Sequence, residues 1–265
     1  MYWDKYFLTE LKKFTAPKRS KLLSGQSYIG GRVSKLKFLD LKTADVRSLL
    51  NRPLPLFEQP VEQQFKIFQK IWISANVFEL KMLPLYWLET LAIEQLLIFS
   101  KQLVAWATEI DNWALSDSLC GHYAKIFEYA PEELEPIYRR WNKHSNPWLR
   151  RISMVGILYY SRSRKKFPPF ALLSRFVVPH FKAEEYYVQK AVGWTIREFY
   201  NAYPLETTRF IKNNLELIHP DAWYAATEKL DQTLKVKFVE FRRKMRRRKT
   251  KPIAKKPKNG ALDRI

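Results

Sequence analysis

Three places in the chain set an indole beside a charged side chain at helical spacing. Trp113 and Asp117 are four residues apart, Trp148 and Arg151 three, and Trp194 and Arg197 three, with Lys190 one turn before Trp194. Residues three or four apart share a helix face. Arginine suits bidentate contact with phosphate, so these pairs predict a surface for a polyanion. A carboxylate has no place on a pure phosphate-binding surface, which makes Asp117 the informative member. A plain structural reading competes at each position. Trp113 then belongs to the core, Asp117 caps a turn or pairs with an arginine, and Trp148 is a half-buried ring beside a surface arginine. The stripe Lys190, Trp194, Arg197 resists that reading best, because the opposite face carries Ala191, Val192, Ile196 and Phe199.

These residues need rigid elements to carry them, and the composition indicates helices. Of 265 residues, 46% are hydrophobic and 15% aromatic, with 7 glycines and 15 prolines. That is enough apolar material for one large core and too little turn chemistry for a many-stranded β fold. The pattern predicts a helix over 2–14. From residue 58 it predicts a succession over 61–73, 77–97 with a kink at Pro84, 94–110, 113–129, 132–143, 147–161, 168–177, 184–203, 206–213 and 220–243. Asn146-Pro147, Pro131-Glu132-Glu133 and Pro220-Asp221 are helix-start signals. Pairs recurring every 35–40 residues or so fit a HEAT-like arrangement. The expected fold is all-α: a single-domain, right-handed-type superhelical solenoid of antiparallel helix pairs. Residues 1–40 are expected as an N-terminal helix and basic arm, 41–243 as the solenoid and 244–265 as a basic disordered tail.

Lys and Arg number 47 against 26 acidic residues, a formal charge of +21. Such an excess draws anions, nucleic acid first. Residues 242–258 hold eleven Lys or Arg and no acid, which leaves about +10 on the remainder, so the folded part is basic by itself. The tail reads as a nucleic-acid arm, as a solubilising segment or as a nuclear address. No apolar run is long enough to span a bilayer, and basic residues spread over many helices argue against a membrane-surface helix. The Met1-Tyr2-Trp3-Asp4-Lys5 start lacks a signal peptide's apolar core, and Cys120 is the single cysteine. An intracellular, reducing location is expected. His122, His144, His180 and His219 show no ligand spacing, so neither metal nor cofactor is expected.

Taken in order, the segments 113–117 (Trp-Ala-Leu-Ser-Asp), 148–151 (Trp-Leu-Arg-Arg) and 189–198 (Gln-Lys-Ala-Val-Gly-Trp-Thr-Ile-Arg-Glu) resemble the three signatures of the AlkD-type DNA alkylation repair glycosylases. The resemblance covers roughly residues 40–235 and is strongest over 106–204. It implies a HEAT-like solenoid with a basic concave face. The implied activity is excision of cationic alkylated purines, N7-alkylguanine and N3-alkyladenine, from duplex DNA, the first step of base excision repair. It implies Asp117, Trp113 and Trp194 as catalytic residues. Arg151 and Arg197, with Trp148 and Lys190, are implied as DNA contacts. One departure stands out. Relatives often carry a second aromatic beside the first tryptophan, and here Asn112 and Ala114 flank Trp113.

A cationic purine is already a good leaving group, so the chemical demand falls on the sugar. Asp117 is expected to stabilise an oxocarbenium-like deoxyribose and to orient the attacking water, with the two indoles flanking it. The resemblance implies that the lesion stays stacked rather than flipped. A bacterial, cytoplasmic monomer that meets the nucleoid through DNA is the expected setting. Two other readings compete: a non-catalytic HEAT-like protein that binds duplex, branched or distorted DNA, and a HEAT-like protein scaffold. Only the glycosylase gives Asp117 a task.

Overall fold

The computed structural model describes residues 2–15, 29 and 34–250, with side chains through 245. Fourteen α-helices make up this part: α1 (Trp3–Lys13), α2 (Thr43–Ser48), α3 (Val61–Ser74), α4 (Phe78–Leu88), α5 (Ile93–Ile98), α6 (Ser100–Trp106), α7 (Trp113–Tyr129), α8 (Pro131–Trp141), α9 (Pro147–Val155), α10 (Phe170–Val177), α11 (Tyr186–Ala202), α12 (Pro204–Asn213), α13 (Pro220–Ala226) and α14 (Gln232–Thr250). Short 3-10 turns join several of them, and among the described residues the one strand-like pairing is a bridge between Lys37 and Val77. The fold is the expected all-helical solenoid, in which α7 packs on α8 and α9, α9 on α11, and α11 on α12 and α13.

Local chemistry sets the helix starts. The Asn112 side chain accepts from Leu115 N at 3.0 Å and opens α7. The Asn146 side chain accepts from Trp148 N at 2.9 Å and opens α9, with Pro147 in the first turn. Pro131, Pro204 and Pro220 start α8, α12 and α13, where the missing N–H has no intrahelical partner to lose.

Four expectations change. The helix expected over 77–97 is α4 and α5 with a turn between them. Pro84 sits inside α4, which is buried from Glu79 to Leu88. The helix expected over 147–161 ends at Val155. There the bare Gly156 lets the Tyr138 hydroxyl come close, an added Cβ falling 2.6 Å from that oxygen, and Tyr160 then takes φ +46°. The helix expected over 220–243 is broken after Ala226, and α14 carries the backbone helix to Thr250, into the segment expected to be disordered. The basic stretch 18–21, the Gly/Ser-rich segment 24–34 apart from residues 29 and 34, and the tail beyond 250 lie outside the described residues.

The core is one continuous cluster. Its first part is aromatic: Phe65 stacks on Phe99 at 4.1 Å, Phe68 on Trp87 at 4.7 Å, and Trp72 on Trp106 at 4.9 Å. Helix α1, expected to stand outside the solenoid, packs on α3 and α4 and adds the fully buried Phe7 and Leu11 to that cluster. Its apolar face has nowhere else to be buried.

Candidate active site

Helices α7, α9 and α11 lie side by side, and each contributes one part of the site. Asp117 is in the second turn of α7. Arg151 comes across from α9: its Nε and Nη2 donate to Asp117 Oδ1 at 3.0 and 2.7 Å, and Nη2 donates to Oδ2 at 2.9 Å. Its Nη1 donates to the Tyr187 carbonyl of α11 at 2.8 Å. One guanidinium therefore ties the three helices together. The Arg151 side chain is 5% exposed and that of Asp117 16%. Burial raises the Asp117 carboxyl above its ordinary value, although Arg151 pulls in the other direction. Oδ1 accepts two hydrogen bonds from Arg151 and Oδ2 one. A carboxylate oxygen has two lone pairs, so Oδ2 keeps acceptor capacity for a water or a developing cation.

Aromatic rings surround this pair. Trp113 stands one turn before Asp117 on the same helix and is half-buried. From α11, Trp194 stacks on Tyr159 with centroids 5.1 Å apart and 25° between planes, and meets Tyr160 edge to face at 6.1 Å. Tyr159 sits against Gly121 of α7, where an added Cβ would be 3.5 Å from the ring. Its phenol is raised well above its ordinary pKa, first by burial and then by the Asp117 charge, which puts the carboxylate near this ring. Trp148 packs on Tyr187 at 5.2 Å, and Lys190 lies 5.8 Å from the centroid of Tyr186.

The segment 189–198 has a structural account residue by residue. Gln189 is fully buried, and its Nε2 donates to the carbonyls of His180 and Ala183 at 2.9 and 2.6 Å. Gly193 is where α11 meets α13; a Cβ there would lie 2.3 Å from the Ala222 carbonyl oxygen. Arg197 holds its guanidinium 5.1 Å from the Trp194 ring and donates to Glu198 Oε1 and Glu228 Oε2 at 3.1–3.3 Å. Buried Glu198 accepts from the backbone N and hydroxyl of Ser161 at 2.8 and 2.7 Å.

The geometry thus brings Asp117, Arg151 and the Trp194 cluster together. The two arginines expected on the DNA backbone are engaged inside the protein, Arg151 with Asp117 and Arg197 with two glutamates. Asp117 comes from the neighbouring α7, Glu198 from Arg197's own helix and Glu228 from the segment after α13. Four residues of the site were not expected from sequence: Tyr159, Tyr160, Tyr187 and Glu198 as a clamp. The Tyr159-Tyr160 doublet was hidden inside a helix pattern that in fact stops short of it. His122 and His180 are buried, and burial depresses their pKa values to about 3 and about 4, so both are neutral structural residues. Cys120 is fully buried. Among the described residues no group of His, Cys, Asp and Glu could hold a metal ion, and no helix is long and apolar enough to cross a membrane.

A family model described as DNA alkylation repair enzyme matches residues 8–230. Among solved structures, the chain is similar to a predicted DNA alkylation repair enzyme from Enterococcus faecalis, at 15% identity and a TM-score of 0.62, covering 82% of this chain and 99% of that one. It is also similar to AlkD2 from Streptococcus mutans, at 16% identity and a TM-score of 0.52, covering 86% and 98%. At such identities these structures speak to the fold alone. No curated protein sequence matches the chain.

Proposed function

We propose a glycosylase chemistry for this site from one premise: the chain belongs to the DNA alkylation repair enzyme family. The proposed reaction is hydrolysis of the N-glycosidic bond of a cationic N-alkylated purine in duplex DNA by a monomeric protein that needs no cofactor. The observation that carries this reading is the Asp117 carboxylate, fixed by three hydrogen bonds from Arg151 and set among aromatic rings, with one oxygen partly free.

The breaking glycosidic bond leaves its electron pair on the cationic purine, which departs as a neutral base, so no general acid is needed. Positive charge then builds on the deoxyribose. A fixed carboxylate in a site of low dielectric stabilises that charge and orients the attacking water. The situation is like that of the carboxylate facing the glycosyl cation in glycoside hydrolysis. Arg151 acts in this reading as a positioning residue that holds Asp117 in one rotamer, rather than as a free phosphate clamp. In this reading Trp113 lies beside the sugar, where the π face of an indole favours a developing cation, and Trp194 borders it. A lesion that stays in the stack needs no base-sized pocket, so bulky cationic adducts are expected to be released as well as methylated bases.

A second reading follows from the same ion pair. Buried pairs are often purely structural, and removal of one partner is costly because the other is left uncompensated. Asp117→Asn separates the two. For the glycosylase, single-turnover release of N7-methylguanine from DNA saturated with folded protein falls about 10²–10⁴-fold while duplex affinity is kept. For a structural pair, the melting temperature falls and release per folded molecule stays within about tenfold of the parent, which sinks the assignment of Asp117.

A further inference from the structure

The turn from Tyr160 to Lys166 follows α9 and runs beside the C-terminal ends of α7 and α11. Two glutamates fix it from beneath. Glu198 of α11 takes both donors of Ser161, and Asn201 adds a bond to the Ser161 hydroxyl at 3.2 Å. Glu128 of α7 accepts from Lys165 N and Lys166 N at 2.7 and 3.1 Å and pairs with Arg164 at 3.5 Å. A short exposed turn thus has its backbone pinned at both ends. Its outward side chains are Arg162, Lys165 and Lys166, all exposed.

Tyr160 leads this turn in a conformation that most side chains avoid, φ +46° and ψ +64°. Such backbone costs free energy and persists where surrounding contacts over-determine it, often at functional positions. The Glu198–Ser161 bonds supply that determination. The held ring is 57% exposed. It meets Trp194 at 6.1 Å and Tyr159 at 4.5 Å, so it is the open member of the cluster beside Asp117. Trp194 itself has Tyr159 stacked on it and the Arg197 guanidinium 5.1 Å from its ring, which leaves less of the indole for a ligand. An exposed ring followed by three exposed cations suits a DNA backbone, the ring resting on a sugar while the cations follow the phosphates.

We propose that Tyr160–Lys166 is a preformed DNA-contacting turn at the edge of the site. Tyr160 packs its ring on a deoxyribose of the bound duplex, and Arg162, Lys165 and Lys166 contact the flanking phosphates. Glu198 and Glu128 are positioning residues that hold the turn in place. This inference rests on the proposed DNA glycosylase reading and adds a contact surface to it. It also adds phosphate contacts beside Arg151 and Arg197, whose guanidiniums already hold carboxylates.

The test uses the full chain, a duplex carrying N7-methylguanine, fluorescence anisotropy over a salt series and thermal melting. Tyr160→Ala is expected to weaken duplex binding about tenfold through loss of the ring's contact, and Tyr160→Phe to stay within about twofold of the parent. Tyr160→Gly relieves the backbone, so its melting temperature is expected at or above the parent's, by up to about 2–4 °C, with the same tenfold loss of affinity. A purely structural Tyr160 gives no such opposition between stability and binding. Replacement of Arg162, Lys165 and Lys166 together by alanine is expected to flatten the slope of log affinity against log salt by about two to three units. Affinities within twofold of the parent for Tyr160→Ala and Tyr160→Gly, or an unchanged slope, overturn the proposal. Asp117→Asn run alongside separates the two ideas. Retained excision by that variant defeats the assignment of Asp117, no excision by the parent defeats the glycosylase reading, and normal binding by the Tyr160 variants defeats the turn. A parent protein with no affinity for duplex DNA defeats both.

Discussion

Two groups of aromatic residues, one in each half of the chain, serve opposite purposes. Between α3 and α6, Phe65, Phe68, Trp72, Trp87, Phe99 and Trp106 are buried and stack on one another. Between α7 and α11, Trp113, Trp148, Tyr159, Tyr160, Tyr187 and Trp194 stay partly exposed around an ion pair. In the first region the rings are the ligands of one another. In the second they have open surface, and the polar atoms among them are held by specific partners: Asp117 by Arg151, Arg151 by the Tyr187 carbonyl, Ser161 by Glu198. Aromatic content alone does not separate a core from a site. A charge among the rings does not separate them either, since Lys81 lies 4.9 Å from the Trp72 ring centroid and pairs with Glu109; what separates them is whether the rings keep open surface around it.

Exchange of one ring in each region probes this contrast most strongly. Trp72 is fully buried, and Trp72→Ala is expected to lower stability in denaturant by about 3–5 kcal/mol, the cost of truncating a large core aromatic. Excision by the remaining folded protein should match the parent. Trp113→Ala is expected to do the converse, with a stability loss well below that of Trp72→Ala and a clear loss in single-turnover rate. If Trp113→Ala proves the more destabilising and leaves the rate intact, the division of the molecule into an aromatic core and an aromatic site is wrong.

Acid probes the two halves differently, because every histidine lies at or after position 122. His122 and His180 are buried and neutral, held by burial at pKa values of about 3 and about 4. Once unfolded, each takes up a proton near its ordinary pKa of about 6.5. Below that pH the unfolded chain binds more protons than the folded one, so the stabilisation present above about pH 6.5 is lost as the pH falls. Between pH 7 and pH 5 the loss is on the order of 2 kcal/mol for each residue. Denaturant midpoints at the two pH values measure it, and equal midpoints would mean that these imidazoles are not held neutral.

The sequence made the helices legible wherever a cap and an apolar stripe agreed. Helix α7 matches its expected bounds, 113–129, because Asn112 and the apolar periodicity mark the same start. The end of α9 was not legible. Its pattern continues to Ser161, and only the contact of Tyr138 with Gly156 and the Glu198–Ser161 bonds stop it earlier. The same reason hid Tyr159 and Tyr160. The spacing that brings Asp117 and Arg151 together is also invisible to a helix-face argument, since the two lie on different helices. Spacing identified the residues of each face; the packing of α9 between α7 and α11 made one site of them.

Two glycines of the second region give the smallest expected effects and the sharpest spatial test. Gly121 lies in α7, where an added methyl meets only the Tyr159 ring at 3.5 Å, an ordinary contact. Alanine also suits a helix interior better than glycine by about 0.5–1 kcal/mol, so Gly121→Ala should be neutral or slightly stabilising. Gly193 lies in α11, where the same methyl would sit 2.3 Å from the Ala222 carbonyl oxygen and 2.9 Å from its Cα. Backbone atoms cannot rotate aside, so α11 and α13 must separate, at a cost of about 1–3 kcal/mol. The next residue is Trp194, so any such shift moves the indole relative to Tyr159. Gly193→Ala is therefore expected to reduce both the melting temperature and the single-turnover rate, whereas Gly121→Ala should spare both. If Gly193→Ala lowers stability and leaves the rate at the parent's value, the position of Trp194 does not matter to the chemistry, and the site contracts to Asp117, Arg151 and Trp113.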